Sequence, residues 1–150
     1  MKMSQEGLKL LAGFEGLKLK PYLDSGGVAT IGIGSTYYEN GRKVRMDDRP
    51  ITEARAYELL ANTISSYELT VTNLLKVKVT QYQFDAMVSL CYNIGAANFT
   101  KSSVIRLVNL GDFITAKAAF LFWNKVKGKV VKGLVNRRVA ESNYFSRKGV

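Results

Sequence analysis

A stretch of about 24 residues without glycine or proline, starting at Thr52, most constrains how this chain can fold. Apolar side chains recur in it at steps of three and four residues, the spacing that gathers them on one face of an α-helix. The positions on this face are Tyr57, Leu60, Ala61, Ile64, Val71, Leu74 and Leu75. The sequence therefore predicts one long helix that divides the chain into a part before it and a part after it.

The part before the long helix combines a short helical pattern with strand and turn patterns. A first helix is expected to end near Glu15, because Gly16 is the residue type that commonly terminates a helix. Between residues 17 and 46 the sequence alternates, contains β-branched segments interrupted by glycine, and includes Asn40-Gly41, a pair typical of β-hairpin turns. We predict a small antiparallel sheet there.

The part after the long helix shows the patterns of several shorter helices. The sequence TQYQ, starting at Thr80, has the form of a capping box and predicts a helix that runs to Gly95. Further helices are predicted after Ser102 or Ser103, after Asp112, and from Leu134 to about Tyr144. The basic sequence KVKGKVVKG before the last helix is predicted to be a loop.

Length and pattern together predict a single α+β domain. Its expected parts are an N-terminal helix with a small antiparallel sheet over about residues 1–51, a connecting helix over 52–79, and an all-helical lobe over 80–150. A two-lobed layout of this kind leaves a cleft in which a polymer could lie.

The chain contains no histidine and a single cysteine, Cys91. The absence of imidazole excludes Ser-His-Asp and Cys-His nucleophiles and zinc sites that use histidine. Catalytic chemistry in this chain must therefore use carboxylates, tyrosines, lysines or hydroxyls, and we expect neither a cofactor nor a metal ion. Cys91 lies between Leu90 and Tyr92 in a predicted helix, so we expect an inert, buried thiol.

The net charge of +10 is carried entirely by the second half of the chain. Residues 1–75 contain nine basic and nine acidic residues, whereas residues 76–150 contain thirteen basic and three acidic ones. This asymmetry indicates a polyanionic partner, which could be nucleic acid, an anionic membrane surface or an acidic cell-wall polymer. A surface that is basic for solubility alone explains the charge equally well.

Three side chains before the long helix suggest an acid–base site. Glu15 falls on the apolar face of the first helix, where loss of hydration disfavours a charged carboxylate. Asp24 follows nine residues later in a Ser-Gly-Gly turn open to water, and Thr30 follows six residues after that on the next strand. Two carboxyls in such different environments can act as acid and base in cleaving a glycosidic bond. A surface glutamate, a turn-forming aspartate and an ordinary strand threonine are the alternatives that these residues leave open.

The order and spacing of FEG, YLD and TIGIG around these three residues resemble the phage-type lysozymes, glycoside hydrolases also called endolysins or muramidases. Further along, QFDAMVSLCYNIGAANFTKSS resembles the family's Q-x-x-A-x-x-S…N-x-G…F…S segment. The pair FW followed by KGLVNRRVAE resembles its Trp and G-L-x-x-R-R-x-x-E ending. The resemblance covers essentially the whole chain.

The resemblance implies a lysozyme-like fold and hydrolysis of the β-1,4 bond between N-acetylmuramic acid and N-acetylglucosamine in bacterial peptidoglycan. Glu15 would be the general acid. Asp24 and Thr30 would position and activate the attacking water, with inversion at the anomeric carbon. The implied substrate-binding residues are Gly34, Tyr92 and Asn93.

Comparison with the family's motifs raises three further points. Arg137 and Arg138 lie on the closing helix, where one of them would pair with Glu15 or with a neighbouring acid. Relatives often carry a histidine directly after the TIGIG or TIGYG segment, whereas this chain has Ser35, so an ion pair near the site is missing. Trp123, within AAFLFW, is expected in the core rather than on a sugar-binding surface.

Place of action and partners follow from the same observations. The N-terminal sequence lacks a clean signal-peptide core, and no stretch is long and apolar enough to span a membrane. We therefore expect synthesis in the host cytoplasm and action on the cell wall after release by a membrane-permeabilising, holin-like protein, as the resemblance also implies. We expect a monomer that is held to the anionic cell envelope by its basic second half.

Three alternatives remain open at this point. A peptidoglycan transglycosylase would cut the same bond and leave an anhydro sugar. A nucleic-acid-binding protein would use the same positive charge, although no helix-turn-helix, zinc-finger or RNA-binding motif is evident. A membrane-active basic protein would act through its C-terminal helices.

Overall fold

The computed structural model describes residues 1–148 of the chain. Its α-helices are α1 Gln5–Glu15, α2 Glu53–Leu74, α3 Gln81–Ile94, α4 Ala96–Lys101, α5 Ser103–Asn109, α6 Phe113–Ala119 and α7 Lys132–Phe145, with a 3₁₀ turn at Phe120–Phe122. Its strands are β1 Lys18–Leu23, β2 Ala29–Gly32, β3 Lys125–Val126 and β4 Lys129–Val130. None of the described helices is both long and apolar enough to cross a membrane.

The chain forms two compact units. One unit consists of Leu8–Ser65, and the other combines Met1–Gly7 with the residues from Ser66 onward. The mixture of helices and small antiparallel sheets confirms the predicted α+β class. The division into one domain with parts at 1–51, 52–79 and 80–150 stays a prediction.

Helix α1 ends where the sequence indicated, and it begins directly after Ser4. The hydroxyl of Ser4 accepts a hydrogen bond from the N–H of Gly7 at 3.0 Å, which caps the first turn. At the other end, Gly16 has φ of +80° and donates its N–H to the carbonyl of Ala12 at 2.8 Å. A residue with a Cβ is strained at this φ, so glycine is the residue that can terminate the helix directly after Glu15.

Strands β1 and β2 form the predicted antiparallel pair in the unit Leu8–Ser65. Tyr22 lies opposite Thr30, and Leu23 lies opposite Ala29, with a bulge between Lys18 and Tyr22. The turn between the strands is closed by the N–H of Asp24, which donates to the carbonyl of Val28 at 3.0 Å. This register carries two of the three predicted catalytic residues on one hairpin.

The turn at Asn40-Gly41 is also confirmed. Tyr38 donates its N–H to the carbonyl of Arg42 at 2.9 Å, and Gly41 has φ of +85°. The flanking chain forms only an isolated bridge between Tyr37 and Lys43 rather than a strand pair. Behind it, a small core packs together Ile31, Val44 and Leu59.

Helix α2 confirms the long helix predicted from periodicity. It begins after Thr52, whose hydroxyl accepts the N–H of Arg55 at 3.1 Å, and it has 22 residues. The fully buried positions along it are Ala56, Leu59, Leu60, Ile64 and Val71. Ala61, which was predicted on the buried face, is exposed.

Two elements in the basic part of the chain differ from the prediction. The sequence KVKGKVVKG contains the β3–β4 hairpin, so the region after residue 80 is not purely helical. Lys127 and Gly128 both have positive φ, 49° and 79°, which is the backbone of a two-residue hairpin turn. Helix α4 was not predicted either, because it is only six residues long and begins directly after Gly95.

Replacing the helix-capping threonine at the start of α3 should destabilise the fold. Thr80 accepts the N–H of Gln83 at 3.0 Å, and the Gln83 side chain accepts the N–H of Thr80 at 2.9 Å. We expect Thr80→Ala to lower the free energy of unfolding by about 1 kcal/mol in urea titrations. The control is Thr100→Ala, whose hydroxyl bonds only within its own helix and which should change stability by less than about 0.5 kcal/mol. Equal losses in the two variants would contradict the capping role.

The single thiol should be unreactive in the folded protein. Cys91 is free and fully buried, and burial raises its pKa to about 12. At pH 8 the thiolate that reacts with disulfide reagents is therefore nearly absent. We expect no reaction with DTNB in native buffer and one thiol per chain in guanidinium chloride. Rapid labelling of the native protein would show that α3 opens or that the thiol is exposed.

Candidate active site

The proposed catalytic residues Glu15, Asp24 and Thr30 all lie in the unit Leu8–Ser65. Glu15 is the last residue of α1 and is half-buried. The residues one turn before it, Leu11 and Ala12, are buried. The carboxyl of Glu15 therefore has the expected apolar neighbours on the helix that precedes it. The helix ends at the glycine that follows.

Asp24 is held by its own turn. Its Oδ1 accepts the N–H of Gly26 at 2.8 Å and the N–H of Val28 at 2.9 Å. Both bonds go to the same oxygen, so the orientation of the carboxylate is fixed by the backbone of the β1–β2 connection. Oδ2 makes no hydrogen bond to any other residue in the described part of the chain, and this oxygen is available for a ligand or for water.

Tyr22 connects the two carboxylates electrostatically. Burial raises the pKa of the Tyr22 phenol, and the negative charges of Glu15 and Asp24 raise it further. Both carboxylates therefore lie close enough to act on one hydroxyl. Lys18 places its Nζ 4.3 Å from the centre of the Tyr22 ring. No motif pointed to Tyr22, because its position opposite Thr30 depends on the pairing of β1 with β2.

Thr30 is buried in β2 and uses its hydroxyl proton locally. Its Oγ1 donates to the carbonyl of Val28 at 2.9 Å, which leaves the lone pairs of that oxygen as acceptors. Gly34 lies in the tight turn that follows, with φ of +76°. Ser35 closes this turn by exchanging backbone hydrogen bonds with Ile31 and is fully buried, 3.5 Å from the hydroxyl of Thr63. A bend thus accounts for the glycine, and contact with a sugar stays a prediction.

Tyr92 and Asn93 lie in the other unit, at the end of α3. The Tyr92 ring packs edge-to-face against Tyr67, with ring centres 5.1 Å apart. Asn93 is exposed and lines a groove of about 290 Å³ together with Trp123. Trp123 is half-buried and lines this groove, so it is not fully enclosed in the core as predicted.

Arg137 and Arg138 converge on a buried carboxylate, Glu141, one turn further along α7. Arg137 donates from Nε to Oε2 at 3.2 Å, and the Nε of Arg138 lies 2.6 Å from Oε1. Ser89 of α3 donates its hydroxyl to the same Oε2. Burial raises the pKa of Glu141, whereas both arginines and the serine act in the opposite direction. Both arginines thus face an acid of their own helix, and the predicted pairing of one of them with Glu15 or an acid near it stays a prediction.

Among residues 1–148, no group of three or more aspartate, glutamate or cysteine side chains is arranged to hold a metal ion. What the geometry does provide is two carboxylates, one phenol and one threonine hydroxyl on a helix end and the adjoining hairpin.

Comparison with known proteins identifies the family. The family model for phage lysozyme matches residues 12–141, which is most of the chain and includes every proposed site residue. The chain belongs to the phage lysozyme family. The resemblance inferred from the motifs FEG, YLD and TIGIG is thereby confirmed.

Individual relatives agree with this family. An endolysin of Salmonella phage P22 is 38% identical over 145 residues, with 97% of this chain and 98% of the relative covered. An endolysin of Bacillus phage PZA is 40% identical over 146 residues, but this chain spans only 55% of its length. The solved endolysin of Escherichia coli O157:H7 phage FAHEc1 has a TM-score of 0.90 and 37% identity, with 97% of this chain and 94% of that chain covered. The lysozyme-like fold is thus confirmed.

Breaking the buried charge cluster on α7 should be costly. Glu141 is fully buried, so Glu141→Gln removes the negative charge that faces the fully buried guanidinium of Arg138. We expect the free energy of unfolding in urea to fall by about 3–5 kcal/mol. The control is Glu58→Gln, which breaks an exposed pair with Arg55 and should cost less than about 1 kcal/mol. A small loss for Glu141→Gln would mean that the arginines find other acceptors.

Proposed function

We propose that the protein is an endolysin that hydrolyses the β-1,4 bond between N-acetylmuramic acid and N-acetylglucosamine in bacterial peptidoglycan during host-cell lysis. The proposal depends on one observation: the phage lysozyme family model matches residues 12–141, which include Glu15 at the end of α1 and Asp24 and Thr30 on the adjoining hairpin. A chain without histidine needs such a carboxylate pair for acid–base chemistry.

Glu15 acts as the general acid. It is half-buried at the end of α1, next to the buried Leu11 and Ala12. A proton held there can pass to the oxygen of the leaving sugar as the glycosidic bond breaks. General acid–base catalysis of this kind contributes roughly 10²–10⁴-fold.

Asp24 and Thr30 position and activate the attacking water. The backbone N–H groups of the turn hold one oxygen of Asp24 and leave the other to accept a proton from water. Thr30 offers an acceptor on the opposing strand, because its own proton is bound to the carbonyl of Val28. Attack by water on the face opposite the leaving group inverts the anomeric carbon, which requires the two carboxyls to stand about 6.5–9.5 Å apart.

Substrate binding involves Gly34, Tyr92 and Asn93. Gly34 presents backbone without a side chain in a tight turn. The groove shared by Asn93 and Trp123 offers an amide and an uncovered aromatic side chain, which are the groups that bind the N-acetyl arm and the apolar face of a sugar. The paired Arg137 and Arg138 support this region by fixing α7 to α3 through Glu141 and Ser89.

The basic charge of residues 76–150 attracts the enzyme to the anionic cell envelope. The protein acts as a monomer, and a membrane-permeabilising, holin-like protein of the phage gives it access to the cell wall. Attraction of this kind weakens as salt screens it over a Debye length of about 10 Å at 0.1 M.

Removing either carboxylate should abolish lysis without unfolding the protein. We expect Glu15→Gln and Asp24→Asn each to slow the loss of turbidity of purified peptidoglycan by at least about 100-fold, because each removes one half of the acid–base pair. Glu58→Gln, an exposed glutamate on α2, serves as the matched control and should keep parental activity. Normal activity of Glu15→Gln would overturn the assigned acid.

The new sugar ends distinguish hydrolysis from transglycosylation. An inverting hydrolase releases α-anomeric reducing ends, which proton NMR detects before mutarotation, whereas a transglycosylase leaves 1,6-anhydro ends. Anhydro products would leave peptidoglycan as the assigned substrate but would contradict attack by water.

A further inference from the structure

Tyr22 occupies a central position among the proposed catalytic groups. It lies directly opposite Thr30 in the β1–β2 pair, and residues opposite each other in an antiparallel pair extend from the same face with Cβ atoms about 4.5–5.5 Å apart. Asp24 follows two residues later in the same hairpin. The Tyr22 phenol and the Thr30 hydroxyl therefore belong to one side of the hairpin, beside the turn that holds Asp24.

The Tyr22 ring is fixed while its hydroxyl remains available. Lys18 packs its Nζ over the ring at 4.3 Å from the ring centre, and the residue is half-buried. No other residue in the described part of the chain forms a hydrogen bond with the Tyr22 hydroxyl. The phenol is thus a placed donor without a protein acceptor, in a region where two carboxylates lie nearby.

The hydrogen-bond donors and acceptors that Tyr22, Thr30 and Asp24 have available match those of one water molecule. Thr30 can accept, since its proton is bound to Val28, and Asp24 can accept through Oδ2, since Oδ1 holds two N–H groups. Tyr22 can donate. A water molecule has two protons and two lone pairs. It can therefore donate to Thr30 and Asp24, accept from Tyr22, and keep one lone pair free.

We propose that the Tyr22 hydroxyl is a third positioning group for the attacking water, acting with Asp24 and Thr30; this inference rests on the proposed hydrolase function. The free lone pair of the water forms the bond to the anomeric carbon, and one water proton passes to Asp24. The bond to the leaving sugar breaks as its oxygen takes the proton of Glu15. Tyr22 neither gains nor loses a proton in this step.

The electrostatics agree with a donor that stays protonated. Burial, Glu15 and Asp24 all raise the pKa of Tyr22 above its ordinary value near 10. The hydroxyl therefore keeps its proton throughout the neutral range and can donate to the water in every catalytic cycle.

The decisive variant is Tyr22→Phe, which removes the hydroxyl and keeps the ring that contacts Lys18. We expect kcat on soluble peptidoglycan fragments to fall by about tenfold, the effect of one lost hydrogen bond in the transition state. KM should stay within about twofold, because the hydroxyl contacts water rather than sugar. The melting temperature should move by less than about 2 °C. Tyr37→Phe is the matched control, because Tyr37 is an exposed tyrosine of the same unit.

Each outcome decides between the inference and the proposed function. If Tyr22→Phe retains the kcat of Tyr37→Phe, or loses only affinity or stability, the positioning role is overturned. Measuring the parent protein and Glu15→Gln in the same assay distinguishes failure of the Tyr22 role from failure of the proposed hydrolase function. An active parent with an inactive Glu15→Gln and a normal Tyr22→Phe removes Tyr22 alone, whereas an inactive parent removes the hydrolase and the Tyr22 role together.

Discussion

The two backbone N–H groups bound to one oxygen of Asp24 are the interaction on which the rest of the candidate site depends. They close the turn between β1 and β2, and the register of that hairpin places Tyr22 opposite Thr30. Because both bonds go to Oδ1, the turn is satisfied by half of the carboxylate and Oδ2 remains for chemistry. The interpretations of Asp24 as a turn former and as a catalytic base are therefore compatible, since the fixed oxygen orients the other.

Two buried carboxylates, Asp85 and Glu141, use their oxygens differently from Asp24. Asp85 is buried and accepts hydrogen bonds from Ser4, Gln81 and Tyr144, and a Cβ at Gly7 would lie only 2.5 Å from its carboxyl group. Glu141 is equally buried against two arginines and a serine. The carboxyl groups of Asp85 and Glu141 therefore hold helices together. Asp24 is half-buried and keeps an oxygen outside these structural bonds, which is the condition that a reacting carboxylate must meet.

Local chemistry made most of the fold predictable from sequence. Gly16 terminates α1, Thr80 caps α3, and the periodic apolar positions after Thr52 mark α2. Each of these signals depends on residues that are close together in the sequence. The β3–β4 hairpin was missed because its turn uses Lys127 at positive φ, which composition does not indicate. Glu15, Asp24 and Thr30 were proposed from chemistry and spacing, but the place of Tyr22 depends on the pairing of β1 with β2, and the partial exposure of Trp123 depends on how the chain packs around it. Such positions follow from pairing across the chain rather than from any local pattern.

The lack of histidine gives these hydroxyls and carboxylates their particular roles. In a site with imidazole, one group can both hold and transfer a proton near neutral pH. In the proposed mechanism those tasks are divided: carboxylates exchange protons, while a threonine and a tyrosine hold the water without ionising. The Tyr22 phenol is suited to this because burial, and then the nearby carboxylates, raise its pKa above the ordinary value. It therefore stays protonated at neutral pH and donates to the water without taking part in the proton transfer between water, Asp24, Glu15 and the leaving sugar.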